Sequence, residues 1–133
     1  RLGKKLQRVE NMMHKGQDLP RVPIGAKMPD VIYEMSQKGL GMTVVVENSD
    51  RLAGIVTDGD LRRLMQKRKG ETFELTAGDC MTRNPVTIAP EELASAALNL
   101  MERRKITSVV VVDRERRVCG VVHLHDLWTL ELF

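Results

Sequence analysis

Displaced by 66 residues, the sequence lies on itself without a gap from Val22 opposite Ile88 to Leu61 opposite Leu127. In that register Met35 meets Met101, Lys38 meets Arg104 and Leu40 meets Ile106. Val44-Val45-Val46 meets Val110-Val111-Val112, Gly54-Ile55-Val56 meets Gly120-Val121-Val122, and Asp60-Leu61 meets Asp126-Leu127. So many shared apolar, glycine and aspartate positions in one register mark an internal duplication. Upstream, Met13 corresponds to Met81 at an offset of 68, which leaves a two-residue difference before the first strand. One copy of roughly 50 residues barely holds a core alone, whereas two sharing an interface do. The chain is therefore expected to fold as two like units about a pseudo-twofold axis, with two related clefts.

Each copy reads βαββα, an α/β (α+β) class. In the second, Pro85 to Ile88 is a short β-branched run before Ala89-Pro90, an edge-type strand. Glu91 to Arg104 sets Leu93, Ala97, Leu100 and Met101 at helical spacing, with acids first and bases last. Ser108 to Val112 is unbroken and β-branched, a strand covered on both faces, and Asp113 to Arg116 turns the chain into a return strand over Val118 to Val122. His123 to Leu132 closes the unit as a helix. The first copy places strands at Arg21-Val22, Thr43 to Val46 and Leu52 to Val56, a turn at Asn48-Ser49-Asp50, and helices over Pro29 to Lys38 and Asp58 to Arg68. Residues 4–13, with Leu6, Val9, Met12 and Met13, read as a lead-in helix, and Lys69 to Thr72 as a polar connector. The expected halves are residues 1–70, lead-in helix and first unit, and 71–133, second unit.

Composition excludes several classes. Hydrophobic residues at 42% and charged residues at 29% describe a globular chain rather than a disordered one. Aromatics are 3% against 8 methionines, so the core must be aliphatic and filled by methionine, with Met28, Met35, Met42, Met65 and Met101 as its members. A net charge of +3 with scattered bases and few aromatics gives no nucleic-acid stripe. No apolar run approaches the ~18 residues of a membrane helix. Cys80 and Cys119 stand outside any CxxC or ligand spacing and read as reduced thiols of a cytoplasmic protein. No catalytic frame is present: neither a nucleophile set, nor a P-loop, nor paired carboxylates. The start at Arg1, with no apolar signal stretch, reads as a piece of a longer protein.

Two tandem βαββα units, each with a Gly-aliphatic-aliphatic-x-x-x-Asp run, resemble a cystathionine-β-synthase (CBS) domain pair, or Bateman module. The resemblance spans residues 8–132 and is carried by Pro85 to Ile88, Ile106 to Asp113, Gly54 to Asp60 and Gly120 to Asp126. Leu2 to Leu6, Met12 to Gly16, Leu40 to Val44, Thr57 to Arg63 and Leu98 to Met101 further resemble the C-terminal half of arabinose-5-phosphate isomerases. In that family an N-terminal sugar-isomerase domain interconverts ribulose 5-phosphate and arabinose 5-phosphate, feeding Kdo synthesis for lipopolysaccharide or capsule. The resemblance implies that this chain is the cytoplasmic regulatory half without its catalytic domain. It also implies a homodimer through the CBS pairs and a tetrameric parent.

In CBS pairs the Gly-h-h-[Thr/Ser]-x-x-Asp run lines a cleft that takes nucleotides. The resemblance makes Thr57 and Asp60 nucleotide-binding, with Arg62, Arg63 or Lys105 on phosphate. Thr87, Thr107 and Ser108 would border the base and ribose, as would Gly41 and Met42 of the first copy. Asp126 keeps its place in the second copy, but His123 stands where the family has Thr or Ser. The same Thr-x-x-Asp is also a capping box needing no ligand. Loss of the cap residue at His123 with Asp126 retained points to a task for Asp126 beyond capping. His123-x-His125 with Asp126 lacks further ligands at diagnostic spacing, so no metal is assigned. His14 reads as a surface or loop residue. No cofactor is required; the expected ligand is AMP, ATP or a CMP-type nucleotide, CMP-Kdo fitting a feedback signal. The alternative is a dimerisation scaffold with empty clefts, docked through an apolar face of Ile32, Met35, Leu98 and Met101.

Overall fold

Three valines in succession at 44–46 and four at 109–112 leave no polar face, the pattern of a strand covered on both sides. In the computed structural model they lie in interior strands of two sheets, and Val44, Val45, Val109 and Val111 are fully buried. The structure describes residues 6–129, Lys69 by its backbone alone, and they divide into two units.

Residues 17–85 form one unit. Its sheet runs β1 (Arg21–Pro23), β2 (Met42–Glu47), β3 (Arg51–Thr57), β4 (Thr82–Arg83), with β1 parallel to β2 and the other pairs antiparallel. Helix α1 (Met28–Lys38) links the parallel pair; α2 (Asp58–Arg68) and α3 (Ala77–Cys80) follow β3. Pro29 opens α1, and Gly39 ends it at φ 69°, a left-handed cap whose N–H bonds to the Met35 carbonyl. Met28, Val31 and Met35 turn inward onto Val22, Val45 and Val56. Burial of each such side chain is worth about 1.5–3 kcal/mol.

The other unit joins residues 86–129 to residues 6–16. Here β5 (Thr87–Ile88) lies parallel to β6 (Ser108–Val112), and β7 (Val118–His123) antiparallel to it. Helices α4 (Ala94–Arg104) and α5 (Leu124–Trp128) complete it. Its core gathers Val9, Ile88, Ala97, Met101, Val109 and Leu127. The duplication reaches fine detail: a register shift falls between Val45 and Val46 in one sheet and between Val111 and Val112 in the other.

Several sequence expectations are corrected. The lead-in helix is instead a 3-10 turn at Val9–Asn11, and residues 4 and 5 of that reading lie outside the described residues. Its amides bond elsewhere: Val9 N–H reaches the Glu92 carbonyl at 2.8 Å and Glu10 N–H the Pro90 carbonyl at 3.0 Å. The same pairing delays α4 to Ala94, because Ala94 N–H donates to the Gln7 carbonyl and Arg8 bridges Leu93. The expected boundary between residues 70 and 71 differs from the observed division for this reason. Residues 6–16 belong with the second repeat, while residues 71–85 return to the first through β4, and Ala77 N–H bonds to the Ala26 carbonyl. The connector is a 3-10 turn, Lys69–Glu74, with Thr72 buried, and α3 was not anticipated.

The closing helix is described to Trp128, and residues 130–132 of that expectation lie outside the described residues. Met65 is 51% exposed rather than core, while Met28, Met35, Met42 and Met101 are buried as expected. Met35, Leu98 and Met101 face inward, which removes them from any exposed docking face. Among the described residues the exposed large hydrophobics include all three aromatics, Tyr33, Phe73 and Trp128, so the core is indeed aliphatic.

Candidate functional site

The first motif sits where β3 ends and α2 begins. Thr57 N–H donates to Asp60 Oδ2 at 3.0 Å, and Asp60 N–H donates to Thr57 Oγ1 at 3.2 Å. This reciprocal pair satisfies amides that a helix start leaves free, so the capping reading is realised. Asp60 does more than cap. Its Oδ2 also accepts from the Thr82 hydroxyl at 3.4 Å, and its Oδ1 accepts from Arg63 Nη2 at 2.9 Å. Arg63, not Arg62, is the base that reaches this carboxylate; Arg62 stands exposed on α2.

Gly41 and Met42 meet the motif across the β2–β3 pair. Met42 lies opposite Thr57, and the Gly41 carbonyl accepts from Asp58 N–H at 3.0 Å. Gly41 has φ 71°, and a Cβ there would stand 3.1 Å from Asp58 Oδ2, so the position favours glycine twice over. Thr57, Asp60, Gly41 and Met42 are thus brought together. Beside them a cavity of about 290 Å³ opens among Met35, Ser36, Gly39, Gly41, Asp58 and Leu61.

The second motif repeats the corner with different chemistry. Ser108 lies opposite His123, and the Thr107 carbonyl accepts from Leu124 N–H at 2.8 Å, as Gly41 does for Asp58. His123 N–H donates to Asp126 Oδ2 at 2.8 Å, and His123 Nδ1 accepts from His125 N–H at 3.1 Å. Histidine therefore substitutes for threonine as the cap, so the cap residue expected to be lost at His123 is replaced instead, and Asp126 does cap. Accepting at Nδ1 requires the neutral ring. Burial pushes the His123 pKa down, the Asp126 carboxylate opposing it, and the result is a lowered value that suits this role.

Asp126 has one more partner. His14 Nε2 stands 2.9 Å from Asp126 Oδ1 and is the donor, since an ionised carboxylate only accepts. His14 is no loose surface group: its N–H bonds to the Val121 carbonyl at 2.8 Å and its carbonyl accepts from Val121 N–H at 3.0 Å. Sequence reading missed both His14 and Thr82. The 68-residue register that pairs Met13 with Met81 also pairs His14 with Thr82, which makes the two positions equivalent but points neither of them at an aspartate.

Thr107, Ser108, His123 and Asp126 form one group, but Thr87 does not join it within that unit. Thr87 pairs with Val110 and lines a cavity of about 330 Å³ with Pro90, Val112, Asp113 and Arg114 at the far end of the strands. Lys105 is the left-handed cap of α4 at φ 55°, exposed. Both cysteines are free thiols whose pKa values burial pushes up. Among the described residues no group of three or more His, Cys, Asp or Glu side chains has a geometry able to hold a metal ion, and no helix is long and apolar enough to cross a membrane.

Comparison with known proteins agrees with this architecture. A protein named arabinose 5-phosphate isomerase KdsD, from Pseudomonas aeruginosa, is 44% identical over 127 residues, 95% of this chain but 39% of the relative. The chain thus spans about two fifths of the length of the curated relatives it matches. Among solved structures, CBSX2 in complex with AMP superposes with a TM-score of 0.82 at 24% identity, covering 95% of this chain and 96% of that one. The CBS domain pair of protein MJ0100, in complex with 5′-methylthioadenosine and S-adenosyl-L-methionine, gives 0.81 at 23% identity over 95% and 96%. The family model for the CBS domain matches twice, over residues 9–67 and 77–127, once on each repeat. With that match covering most of the chain, and two like units each built around a capped aspartate, this protein belongs to the CBS domain family as a tandem pair.

Proposed function

We propose that this chain is the nucleotide-sensing regulatory half of a cytoplasmic sugar-phosphate isomerase that interconverts ribulose 5-phosphate and arabinose 5-phosphate in Kdo supply. The ligand on this reading is an adenine or cytidine nucleotide, CMP-Kdo being the natural feedback signal. The parent is an assembly of such chains, dimeric through its CBS pairs and tetrameric overall, whose catalytic domain precedes residue 1.

The observation that carries the reading is the state of Asp60. One of its oxygens caps α2, and the other is held by Arg63, whose side chain is 66% exposed. The carboxylate is only 16% exposed, but the arginine end lies in solvent and can rotate away, leaving that oxygen to ribose hydroxyls. The released guanidinium then serves phosphate, bidentately. Thr57 and the backbone of Gly41 and Met42 flank the same carboxylate, Thr107 and Ser108 hold the corresponding places in the second repeat, and Lys105 is a further cation for phosphate. The relatives named as arabinose 5-phosphate isomerases and the AMP and S-adenosyl-L-methionine complexes of its structural neighbours support this assignment.

One finding favours a second reading, a scaffold without ligand: both motif carboxylates already have protein donors on both oxygens. Calorimetric titration with AMP, ATP, CMP and CMP-Kdo separates the two. Sensing requires saturable binding that Asp60→Ala abolishes, with Asp60→Asn retaining an acceptor for the Thr57 amide as the fold control. A ligand at a hundredfold its Kd adds about 2.7 kcal/mol of stability, read as a melting shift. No binding by any of the four leaves the scaffold as the function.

A further inference from the structure

The two motif aspartates are matched at one oxygen and differ at the other. In each, Oδ2 accepts the N–H of the cap residue, Thr57 at 3.0 Å and His123 at 2.8 Å. The remaining oxygen of Asp60 is held by Arg63, a flexible side chain 66% exposed on the same helix. The remaining oxygen of Asp126 is held by His14, only 30% exposed, from a segment 112 residues away. That segment is pinned to β7 by two backbone bonds with Val121, and Met13 fills the space above Gly120, with its Sδ 2.7 Å from where a Cβ would stand. Val9, five residues upstream, is fully buried in the core of the unit. At the corresponding place in the first repeat, Thr82 reaches only the capping oxygen, Oδ2, and leaves Oδ1 to the arginine.

We propose that His14 masks Asp126, so that each chain takes one ribose-bearing nucleotide, at the Thr57–Asp60 repeat, while the second repeat stays closed. The inference rests on the nucleotide-sensing reading and adds to it a stoichiometry and the residue that sets it. Both vicinal hydroxyls of a ribose need an acceptor oxygen that the protein can release. Arg63 releases one by rotating into solvent. The two carboxylates are alike in burial, 16% exposed at Asp60 and 22% at Asp126, so the donors make the difference: the His14 imidazole is mostly covered and its backbone N–H and carbonyl are both bonded to Val121, so it has no such freedom to swing away. The residue at the equivalent position of the other repeat, threonine, is too short to reach the outer oxygen, so His14→Thr reproduces in the second repeat what the first already has.

The test is the number of AMP molecules bound per chain, by calorimetry with equilibrium dialysis as a check, in the wild type, His14→Thr and His14→Gln, with Asp60→Ala locating the wild-type site. The expected result is one AMP in the wild type, lost in Asp60→Ala, and two in His14→Thr. Glutamine keeps an amide donor for Asp126 and should stay at one, which separates unmasking from general loosening; melting curves verify the fold of each variant. Two AMP in the wild type, or one in a folded His14→Thr, overturns the masking role and leaves nucleotide sensing intact. No AMP or CMP bound by the wild type and by His14→Thr alike overturns the sensing reading and this inference with it.

Discussion

A Cβ built on Gly120 would stand 2.6 Å from the backbone oxygen of His14. Gly54 stands in the same relation to Thr82, also 2.6 Å, with a methionine side chain closing the contact in both places. Each repeat therefore seats a segment from outside its own βαββα run on a glycine of the return strand that leads to the motif aspartate, Gly54 before Asp60 and Gly120 before Asp126. Gly120→Ala and Gly54→Ala force backbone apart where backbone atoms touch. Each is expected to destabilise by about 1–3 kcal/mol, the range for overpacking a filled site. Urea unfolding of the two variants measures this, and a loss well under that range would mean the segments yield freely.

Lys105 and Gly39 hold the same left-handed cap in their repeats, at φ 55° and 69°. A side chain in that region costs about 1–2 kcal/mol, which glycine avoids. Lys105→Gly is expected to stabilise the chain by about 1 kcal/mol. If Lys105 addresses a ligand phosphate, the same variant binds nucleotide more weakly while melting higher. Thermal melts and titrations on one sample read both effects.

His123 is neutral in the fold because burial lowers its pKa despite Asp126 alongside, and the unfolded chain takes up its proton first as pH falls. Stability from this residue is thus complete above about pH 6.5, the ordinary histidine value, and is lost as pH drops below it. Protonation also removes the Nδ1 acceptor for His125 N–H. Melting temperature between pH 7.5 and 5.5 should fall more in the wild type than in His123→Asn, which caps without titrating. Equal slopes would exclude His123 as the source.

Glu34 behaves oppositely. Burial pushes its carboxyl up, but Lys38 at 2.7 Å and the Arg21 N–H at 3.1 Å outweigh it and hold the pKa below the ordinary value. Its contribution is present above the normal glutamate range and disappears as pH falls through the lowered folded value. Glu34→Gln should be less stable at pH 7 and show a flatter acid limb below about pH 4. Acid titration followed by circular dichroism compares the two limbs.

What the sequence by itself determined is local or repeated. Asp58–Arg68 is helical over the expected span, Ser108–Val112 is a strand over the expected span, and Asn48, Ser49 and Asp50 turn with positive φ, because side-chain period and turn chemistry act over a few residues. The cap of Asp60 was legible for the same reason, three residues from Thr57, whereas that of Asp126 was not, because histidine is no ordinary cap residue. The tertiary structure alone decided which distant groups share them. Apolar spacing at Leu6, Val9 and Met13 fits a helix, but the amides of Val9 and Glu10 take carbonyls at Glu92 and Pro90 instead. A helix this short gains little from its own hydrogen bonds, so burying Val9 in a distant core prevails. The same placement carries His14 across 112 residues to Asp126. No period or motif encodes that distance; it follows from where the folded repeat leaves a glycine to be covered and a carboxylate to be paired.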